Sequence, residues 1–325
     1  MPNKILFIGL GGAGQRHLRI INKKLPSSQF YAYRRTNHTP FLNSDFTIRK
    51  SSSLEKEYDL ITLENIDDIK NIRPDLTIIS SPSAMHYQDI QMAAKAGSDI
   101  IVEKPGAMNF KEAISIKKLI KSKNIKFLVS FQRRFHPLVI KMRKLILDNY
   151  IGRIKKVFIT TKSFVPGWHP YEDFRNLYAC RKDLGGGVVP TEIHEIDIIT
   201  WIFGKPKMID IKSSSLNSYN LDVEDAASIF FKYGNLTISA EISFMSNEPQ
   251  REIFLEGEKG IMKLDFLGQN LFIKKTGANE DIISDDTTND FLFEKQLDFF
   301  LDSFDYKNSV YLDAITNNGL IIEKR

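Results

Sequence analysis

The stretch that decides the fold of this chain is Lys4-Ile5-Leu6-Phe7-Ile8-Gly9-Leu10-Gly11-Gly12-Ala13-Gly14. An apolar run at residues 5–8 leads into the glycines, and residues 15–24 follow with a helical pattern. Strand, glycine turn and helix in this order are the context in which Gly-x-Gly-x-x-Gly indicates a dinucleotide-binding turn. The first two glycines let the backbone turn tightly and approach a pyrophosphate, the third lets the helix pack closely on the strand, and the helix N-terminus offers N–H donors. The residues predicted to hold a dinucleotide here are Gly9, Gly11, Gly12, Ala13 and Gly14.

The second predicted strand covers residues 29–33, and two arginines follow it. Arg34 stands where, about 20 residues beyond the glycine turn, an acidic residue would bind the ribose hydroxyls of NAD. An acid there would repel a 2′-phosphate, whereas Arg34 and Arg35 would attract one. The sequence therefore favours NADP(H) over NAD(H). The alternative is an exposed basic turn with an acidic residue close to it.

Further strands alternate with helices along the first part of the chain. Apolar runs at 76–79, 100–102 and 126–130 are separated by helical patterns at 85–96 and 110–123, which predicts a doubly wound parallel sheet. Ligands bind at the carboxyl ends of the strands in such sheets. The polar residues that follow these strands, and so become site candidates, are Ser81, Pro82, His86, Glu103, Lys104, Gln132 and Arg134.

The pattern changes after residue 150. Alternation at 155–162 and six strand-like runs between 208 and 275 predict a mostly antiparallel sheet with one covered face. The predicted fold is α/β, with a dinucleotide-binding domain at 1–125 and a second domain at 126–325. The alternative arrangement for the strand at 126–131 and the C-terminal helices is that they pack on the first domain.

A glycine turn, Gly185 to Gly187, precedes a helix predicted to begin near Thr191, its cap, and to end at Gly204. At about 100° per residue, apolar residues take one face, and His194 and Asp197 take the opposite one. A histidine oriented by a carboxylate three residues on is suited to proton transfer.

Composition limits the remaining possibilities. The 325 residues are 42% apolar and 26% charged, which are globular values. The net charge of +5 comes from interspersed acidic and basic residues, so an anionic small molecule is favoured over nucleic acid. The single cysteine leaves no internal disulfide and no cysteine-based metal cluster. With no signal peptide or membrane span expected, a cytoplasmic protein is predicted.

Four signals in one order resemble the Gfo/Idh/MocA family, the group of glucose–fructose oxidoreductase and inositol dehydrogenase. They are the N-terminal glycine turn, Ser81-Pro82 with His86, Glu103-Lys104-Pro105, and Gly185-Gly186-Gly187 followed by His194 and Asp197. The resemblance implies hydride transfer between a nicotinamide and a carbinol carbon of a sugar, sugar acid or cyclitol, without metal. It also implies an open sheet used for oligomerisation, as a homodimer or homotetramer.

The resemblance also assigns roles to particular residues. Ser81, Pro82 and His86 would line the nicotinamide, and Glu103 would lie near its ribose, with Gln132 also assigned to the cofactor. Lys104 would contact both cofactor and reacting oxygen, and His194 would serve as acid or base.

One departure from the family affects the catalytic set. Many members have an aspartate four residues before the histidine, where this chain has Pro190, and Thr191 follows. Glu192 would turn about 160° away from His194 on an ideal helix. The expected set is therefore Lys104 and His194, with Asp197 orienting the histidine. Glu192 would take the place of Asp197 only if the helix began later than predicted.

The form His-Glu-Ile-Asp, together with Trp168-His169-Pro170-Tyr171, resembles a subgroup associated with bacterial surface-glycan and acidic-sugar pathways. An anionic sugar or nucleotide-sugar is thus the expected substrate, and the arginines would hold its phosphate or carboxylate. The alternative is a nucleotide-binding regulator or oligomer partner without chemistry, which the missing aspartate supports. The residues expected to contact the substrate are Arg134, Trp168, His169, Arg175, Thr191 and Glu192.

Overall fold

The computed structural model describes residues 1–36, 39–215, 219–303 and 309–325. The first sheet has the strands β1 (Lys4–Ile8), β2 (Gln29–Tyr33), β3 (Ile61–Leu63), β4 (Leu76–Ile79), β5 (Asp99–Glu103) and β6 (Phe127–Ser130). They pair in the order β3-β2-β1-β4-β5-β6, and every pair is parallel. The strand order reverses between β1 and β4, so a crevice opens at the carboxyl ends of these two central strands.

Helices cover both faces of this sheet. They are α1 (Gly12–Lys24), α2 (Leu54–Tyr58), α3 (Ile69–Ile72), α4 (His86–Lys95) and α5 (Phe110–Lys123). The next helix, α6 (Pro137–Leu147), packs against the strands at 260–265 and 270–275 of the second sheet. Local sequence sets their ends. The Asn109 side chain, for example, accepts a hydrogen bond from Glu112 N and caps α5, which Asn124 ends in the left-handed conformation.

The second sheet has eight strands. They are β7 (Ile154–Phe164), β8 (Met208–Ser214), β9 (Ala226–Tyr233), β10 (Leu236–Ser243), β11 (Met245–Gly257), β12 (Gly260–Asp265), β13 (Asn270–Lys275) and β14 (Glu280–Ser284). Their order is β14-β13-β12-β11-β7-β10-β9-β8, and all pairs are antiparallel except β7 with β10. The α/β prediction, a parallel sheet plus an open, mostly antiparallel one, is confirmed.

The strand β14 lies beyond residue 275, where the last of the strand-like runs in the sequence ends. It pairs with β13 at the edge of the sheet, and most of its residues are exposed. An edge strand that faces solvent carries no buried apolar alternation, so the pattern that identified the other strands is missing.

The helix after the glycine turn differs from the prediction. It is broken into α7 (Val188–Thr191) and α8 (His194–Phe203), because Glu192 takes φ −93° and ψ 33°. Thr191 therefore belongs to α7 and does not cap α8. Residues 194–200 are all buried, so both faces of α8 lie in the protein and the expected division into core and site faces is wrong.

The C-terminal segment is formed by α9 (Asn289–Asp298), a π-helical turn (Phe299–Ser303) and α10 (Ser309–Glu323). An ion pair of 2.9 Å between Arg16 and Asp290 ties α9 to α1, and β6 pairs with β5. Residues beyond 125 thus contribute to the first sheet and its covering, and the boundary at 125 stays a prediction. In the described ranges, no helix is long and apolar enough to cross a membrane.

Candidate active site

The glycine turn after β1 forms a cradle for a phosphate. Gly9 has φ +88°, and a Cβ there would lie 2.8 Å from the backbone N of Ser81. A Cβ on Gly14 would lie 2.5 Å from the Gly9 carbonyl oxygen, so α1 packs directly on β1. A Cβ on Gly11 would meet only Thr39 Oγ1, at 4.0 Å, so a ligand can reach this backbone. The first turn of α1 has no side-chain cap and no acidic residue, which leaves its N–H donors to an anion. The turn fits the pyrophosphate of a dinucleotide.

The two arginines after β2 point to different partners. Arg35 donates to both carboxylate oxygens of Asp89, at 2.5 and 3.1 Å, and Asp89 is fully buried and also accepts from Ser81 Oγ at 2.6 Å. Burial opposes the charge of Arg35, but the bonds to Asp89 raise its pKa. The expectation that Arg35 attracts a 2′-phosphate is therefore corrected, because a buried carboxylate already neutralises it. Arg34 instead donates to the Thr39 carbonyl oxygen at 2.9 Å, with Glu55 at 3.8 Å.

The polar residues after β4, β5 and β6 lie along one edge of the first sheet. His86 Nε2 lies 2.9 Å from the Ser81 carbonyl oxygen, and burial lowers the pKa of this histidine, which keeps it neutral. Glu103 Oε1 lies 2.9 Å from His17 Nε2. Burial disfavours the Glu103 charge, but His17 and Lys104 outweigh burial and lower its pKa. The Gln132 side-chain oxygen is buried without a partner in the described part of the chain, so it can accept a bond from a ligand.

Lys104 meets the second domain. It lies directly after β5, before Pro105 and its cis peptide bond. Its ammonium donates to the Thr191 carbonyl oxygen at 2.8 Å and to the Tyr178 hydroxyl at 3.0 Å. Thr191 thus belongs to the site through its backbone. Sequence reasoning missed Tyr178, because no motif or spacing relates it to Lys104.

The second glycine turn makes this meeting possible. Gly185 has φ +83°, and a Cβ there would lie 2.7 Å from Ala84 N, in the segment that follows β4. A Cβ on Gly186 would lie 2.3 Å from the Tyr178 carbonyl oxygen. Only glycines let the second domain approach this closely, so the run brings α8 to the carboxyl ends of the first sheet.

His194 is the first residue of α8 and is 8% exposed. Burial, followed by the charges of Arg133, Lys104 and Arg251, holds its pKa well below the usual range. The imidazole is therefore neutral at physiological pH. Its Nδ1 is buried with no hydrogen-bond partner in the described ranges, so nothing there orients it as Asp197 was expected to.

Asp197 has a different partner from the one predicted. Its carboxylate accepts from Arg134 Nε and Nη2, both at 2.7 Å, and from Asn318 Nδ2 at 3.1 Å. Both side chains of the ion pair are buried, at 3% and 1% exposure. The roles predicted for Asp197 as orienter of His194 and for Arg134 as a substrate contact are therefore wrong. The pair joins the turn after β6 to α8 and α10.

Glu192 belongs to a buried charge network beside His194. It accepts from Ser163 Oγ and from Arg251, both at 2.6 Å, and Arg251 also binds Glu195 at 2.8 Å. Arg133 forms a further ion pair with Glu195. Burial opposes the Glu192 charge, but Arg251 and Ser163 outweigh burial and lower its pKa. The helix does begin later than predicted, yet Glu192 is paired with Arg251, which corrects its assignment as a substrate contact.

The aromatic loop reaches the first domain. The His169 ring stacks on Phe46, with centroids 5.5 Å apart, and a Cβ on Gly12 would lie 2.5 Å from the Phe46 ring. Trp168 packs edge-on against Phe244 at 5.9 Å, which is domain packing. Arg175 forms an exposed ion pair with Asp173 at 3.1 Å and, in the described ranges, has no bond to Lys104 or His194. These three assignments to the substrate stay predictions.

Comparison with known proteins agrees with this geometry. A model described as "Oxidoreductase family, NAD-binding Rossmann fold" matches residues 3–131, and "GFO/IDH/MocA C-terminal domain" matches residues 139–263. An oxidoreductase of Formosa agariphila is 26% identical over 217 residues, 65% of this chain and 66% of the relative. The 2,7-anhydro-N-acetylneuraminate hydratase of Escherichia coli is 24% identical over 220 residues, 66% of this chain and 58% of the relative. The match thus spans less than two thirds of either relative.

A solved structure shares the fold over nearly the whole chain. The biliverdin reductase of Synechocystis, in complex with biliverdin and NADP⁺, aligns with TM-score 0.78 and 15% identity over 98% of each chain. At this identity the likeness concerns the fold alone. The two family models, in contrast, together cover the cradle, Lys104 and α8. The chain belongs to the Gfo/Idh/MocA family of NAD(P)-binding oxidoreductases.

Proposed function

We propose that this protein transfers a hydride between a nicotinamide and a carbinol or keto carbon of a sugar, sugar acid or nucleotide-sugar. The observation that carries the proposal is the convergence of Lys104, from the edge of the dinucleotide-binding sheet, with His194, from the second domain. They lie close enough for the Lys104 charge to lower the pKa of His194. Both are beside the strand ends where the glycine cradle would hold a dinucleotide.

The residues of the chain would divide the work as follows. The nicotinamide, when bound, supplies or accepts the hydride. Two N–H groups of Lys104 bond to Thr191 and Tyr178, and the third is available to the substrate oxygen, where it stabilises developing negative charge. His194, neutral and buried, can accept a proton or a hydrogen bond from the substrate hydroxyl.

An anionic substrate is part of the proposal, with different arginines from those first expected. Three cations, Lys104, Arg133 and Arg251, surround His194, while the carboxylates bonded among them are Glu192 and Glu195. Glu103 lies beside Lys104, so each of the three cations has a carboxylate near it, and the anionic class is proposed from the accessibility of one arginine. Arg133, 21% exposed against 11% for Arg251, shares the Glu195 carboxylate with Arg251 and is the more accessible of these two arginines to a carboxylate or phosphate. The name of the Escherichia coli relative refers to a neuraminate, an acidic sugar, which supports the same class.

NADP(H) remains the proposed cofactor, and the preference depends on Arg34 alone. No acidic residue follows β2 directly, and Arg35 is neutralised by Asp89. Replacement of Arg34 by Ala should reduce the ratio of kcat/KM for NADPH to that for NADH about tenfold, because one phosphate contact is lost. Arg153→Ala, which removes an exposed arginine of the second domain, is the control. An unchanged ratio in Arg34→Ala would remove the basis for NADP(H).

The main test measures oxidation with NADP⁺ of a panel of uronic acids and nucleotide-linked sugars. Lys104→Ala and His194→Ala should each lower kcat at least a hundredfold while NADPH still quenches protein fluorescence with a similar Kd. Mass spectrometry of the denatured, freshly purified protein would identify a carried nicotinamide and sugar. Normal turnover by both variants would disprove the catalytic assignment. NADPH binding by a wild type without turnover would favour the nucleotide-binding regulator.

We also propose that copies associate through the open face of the second sheet. Phe158, Phe254 and Phe230 lie in one cross-strand row around Ser239, and Phe158 is 49% exposed. An exposed aromatic row of this kind is typical of an interface. A monomer by light scattering would contradict this. The role in surface-glycan synthesis and the cytoplasmic location remain proposals from the sequence alone.

A further inference from the structure

We propose that Tyr178 is a catalytic residue whose phenol exchanges a proton with the substrate oxygen while Lys104 holds the phenolic oxygen. The inference rests on the proposed oxidoreductase function and adds a group that the family pattern did not supply. It accounts for how this chain can work although Pro190 stands where an aspartate was expected.

The first argument is the hydrogen bond itself. Lys104 Nζ donates to Tyr178 Oη at 3.0 Å, and the ammonium lies 5.7 Å from the centre of the ring. One lone pair of the phenolic oxygen is therefore used by a cation. No acceptor for the phenolic proton lies within bonding distance among the residues that the structure describes. The proton can therefore be directed to a ligand that also binds the remaining Lys104 N–H.

The second argument is how firmly the tyrosine is held. Its neighbours Leu177, Ala179 and Cys180 are buried. Gly187 N donates to the Ala179 carbonyl oxygen at 2.9 Å, and the absence of a side chain at Gly186 lets the Tyr178 carbonyl approach. The turn that carries the phenol is thus fixed to the glycine run that leads to His194. Tyr178 and His194 are therefore carried by one continuous segment that faces Lys104.

The third argument concerns the other proton carrier. Burial and three nearby cations keep His194 neutral, so it has no acidic proton to give when a carbonyl is reduced. A phenol beside an ammonium meets that need, because the phenolate formed on proton loss is paired with Lys104.

The step balances as follows. The substrate carbon would gain a hydride from the bound nicotinamide, whose C4–H bond breaks, and the carbonyl π electrons would move to the substrate oxygen. The Tyr178 O–H bond breaks and an O–H bond forms on the substrate. The phenolate, bonded to the Lys104 ammonium, then regains a proton from solvent. Oxidation of the carbinol is the reverse sequence.

The test uses the full-length protein and the uronic acid or nucleotide sugar of the panel with the highest turnover. Tyr178→Phe keeps the ring and removes only the hydroxyl. We expect kcat to fall about 10²-fold or more, with KM and the Kd for NADPH within twofold and the thermal midpoint unchanged. The solvent deuterium isotope effect on kcat should rise, because proton transfer becomes slower than product release. Tyr150→Phe, a ring on the second domain that contacts Lys275, should behave as wild type.

A double-mutant cycle separates chemistry from positioning. If the two groups act as a unit, Tyr178→Phe should cost nothing further in a Lys104→Met background. Wild-type kcat in Tyr178→Phe, or a raised KM at normal kcat, would overturn the role of Tyr178 and leave the proposed function intact. Absence of wild-type turnover with every member of the panel would overturn both.

Discussion

Replacement of Asp197 by Asn tests whether this buried carboxylate serves Arg134 or His194. The change keeps the shape of the side chain but removes its charge and leaves Arg134, 3% exposed, without its carboxylate. One of the two bonds of 2.7 Å from Arg134 is lost to the new NH2 group, and the bonds from Arg134 and Asn318 to the other oxygen weaken because that oxygen is now neutral. Removal of one partner of a buried ion pair costs about 3–5 kcal/mol. The free energy of unfolding is typically about 5–15 kcal/mol, so at least a fifth of it should disappear.

Urea unfolding followed by tryptophan fluorescence measures this loss, since Trp201 stacks over Arg134 at 5.4 Å. The midpoint should move down by roughly 1–2 M. Asp313→Asn is the matched control, because it breaks the ion pair with Lys117, in which the Asp313 side chain is 45% exposed. Loss of this exposed pair should cost only about 0–1 kcal/mol. Turnover per folded molecule should stay within a few-fold of wild type. Normal stability with lost turnover would show that Asp197 acts on His194, and the reasoning would fail.

Three further predictions concern the glycines and the buried histidine. Gly11→Ala should leave the stability of the apoprotein unchanged and abolish NADPH binding measured by fluorescence. Gly14→Ala should instead lower the thermal midpoint, because its Cβ would meet other atoms at 2.5 Å. Similar behaviour of the two variants would contradict the assignment of Gly11 to the phosphate cradle. Gly185→Ala should lower both stability and turnover, because the new Cβ forces the domains apart. Gly204→Ala is the control: Gly204 has φ +79° but open space around it, so this change should cost only about 1 kcal/mol of strain. Equal losses of stability in the two variants would refute the close approach of the domains at Gly185. A His194 pKa held below 6.5 means that the unfolded chain binds the extra proton, so stability falls as pH drops below about 6.5. Between about pH 6.5 and pH 5.5 the free energy of unfolding, measured by urea titration, should fall by about 1 kcal/mol less in His194→Gln than in wild type. The same pH dependence of stability in both proteins would contradict a neutral imidazole.

The fold could be predicted because its signals are local. The apolar run at β1, the glycines and the helix after them occupy adjacent positions, and their spacing directly reflects backbone geometry. The same holds for the polar residues at the strand ends, since the chain order of strand and loop places them on one edge. The strand β14 was not predicted, because an exposed edge strand has no apolar alternation in its sequence.

The side-chain partners could not be predicted, because they join distant parts of the chain. Arg133 and Arg134 are neighbours on one short 3₁₀ turn, yet one bonds Glu195 and the other Asp197. Nothing in the sequence distinguishes them. The break at Glu192 was equally hidden, since residues 190–203 follow one helical period. Only the tertiary position of Arg251 shows what Glu192 binds.

The place of β7 in the second sheet has a consequence for how the chain acquires its structure during synthesis. The strand lies between β11 and β10, and both leave the ribosome long after it, as the pairing of Lys156 with Thr237 shows. The six-stranded sheet, in contrast, has all its strands once residue 130 has emerged. Until β10 and β11 have emerged, the latter ending at residue 257 of 325, β7 has two unpaired edges, and unpaired edges favour wrong pairing between nascent chains. Slow, chaperone-dependent maturation should therefore be a property of the C-terminal half and not of the N-terminal one.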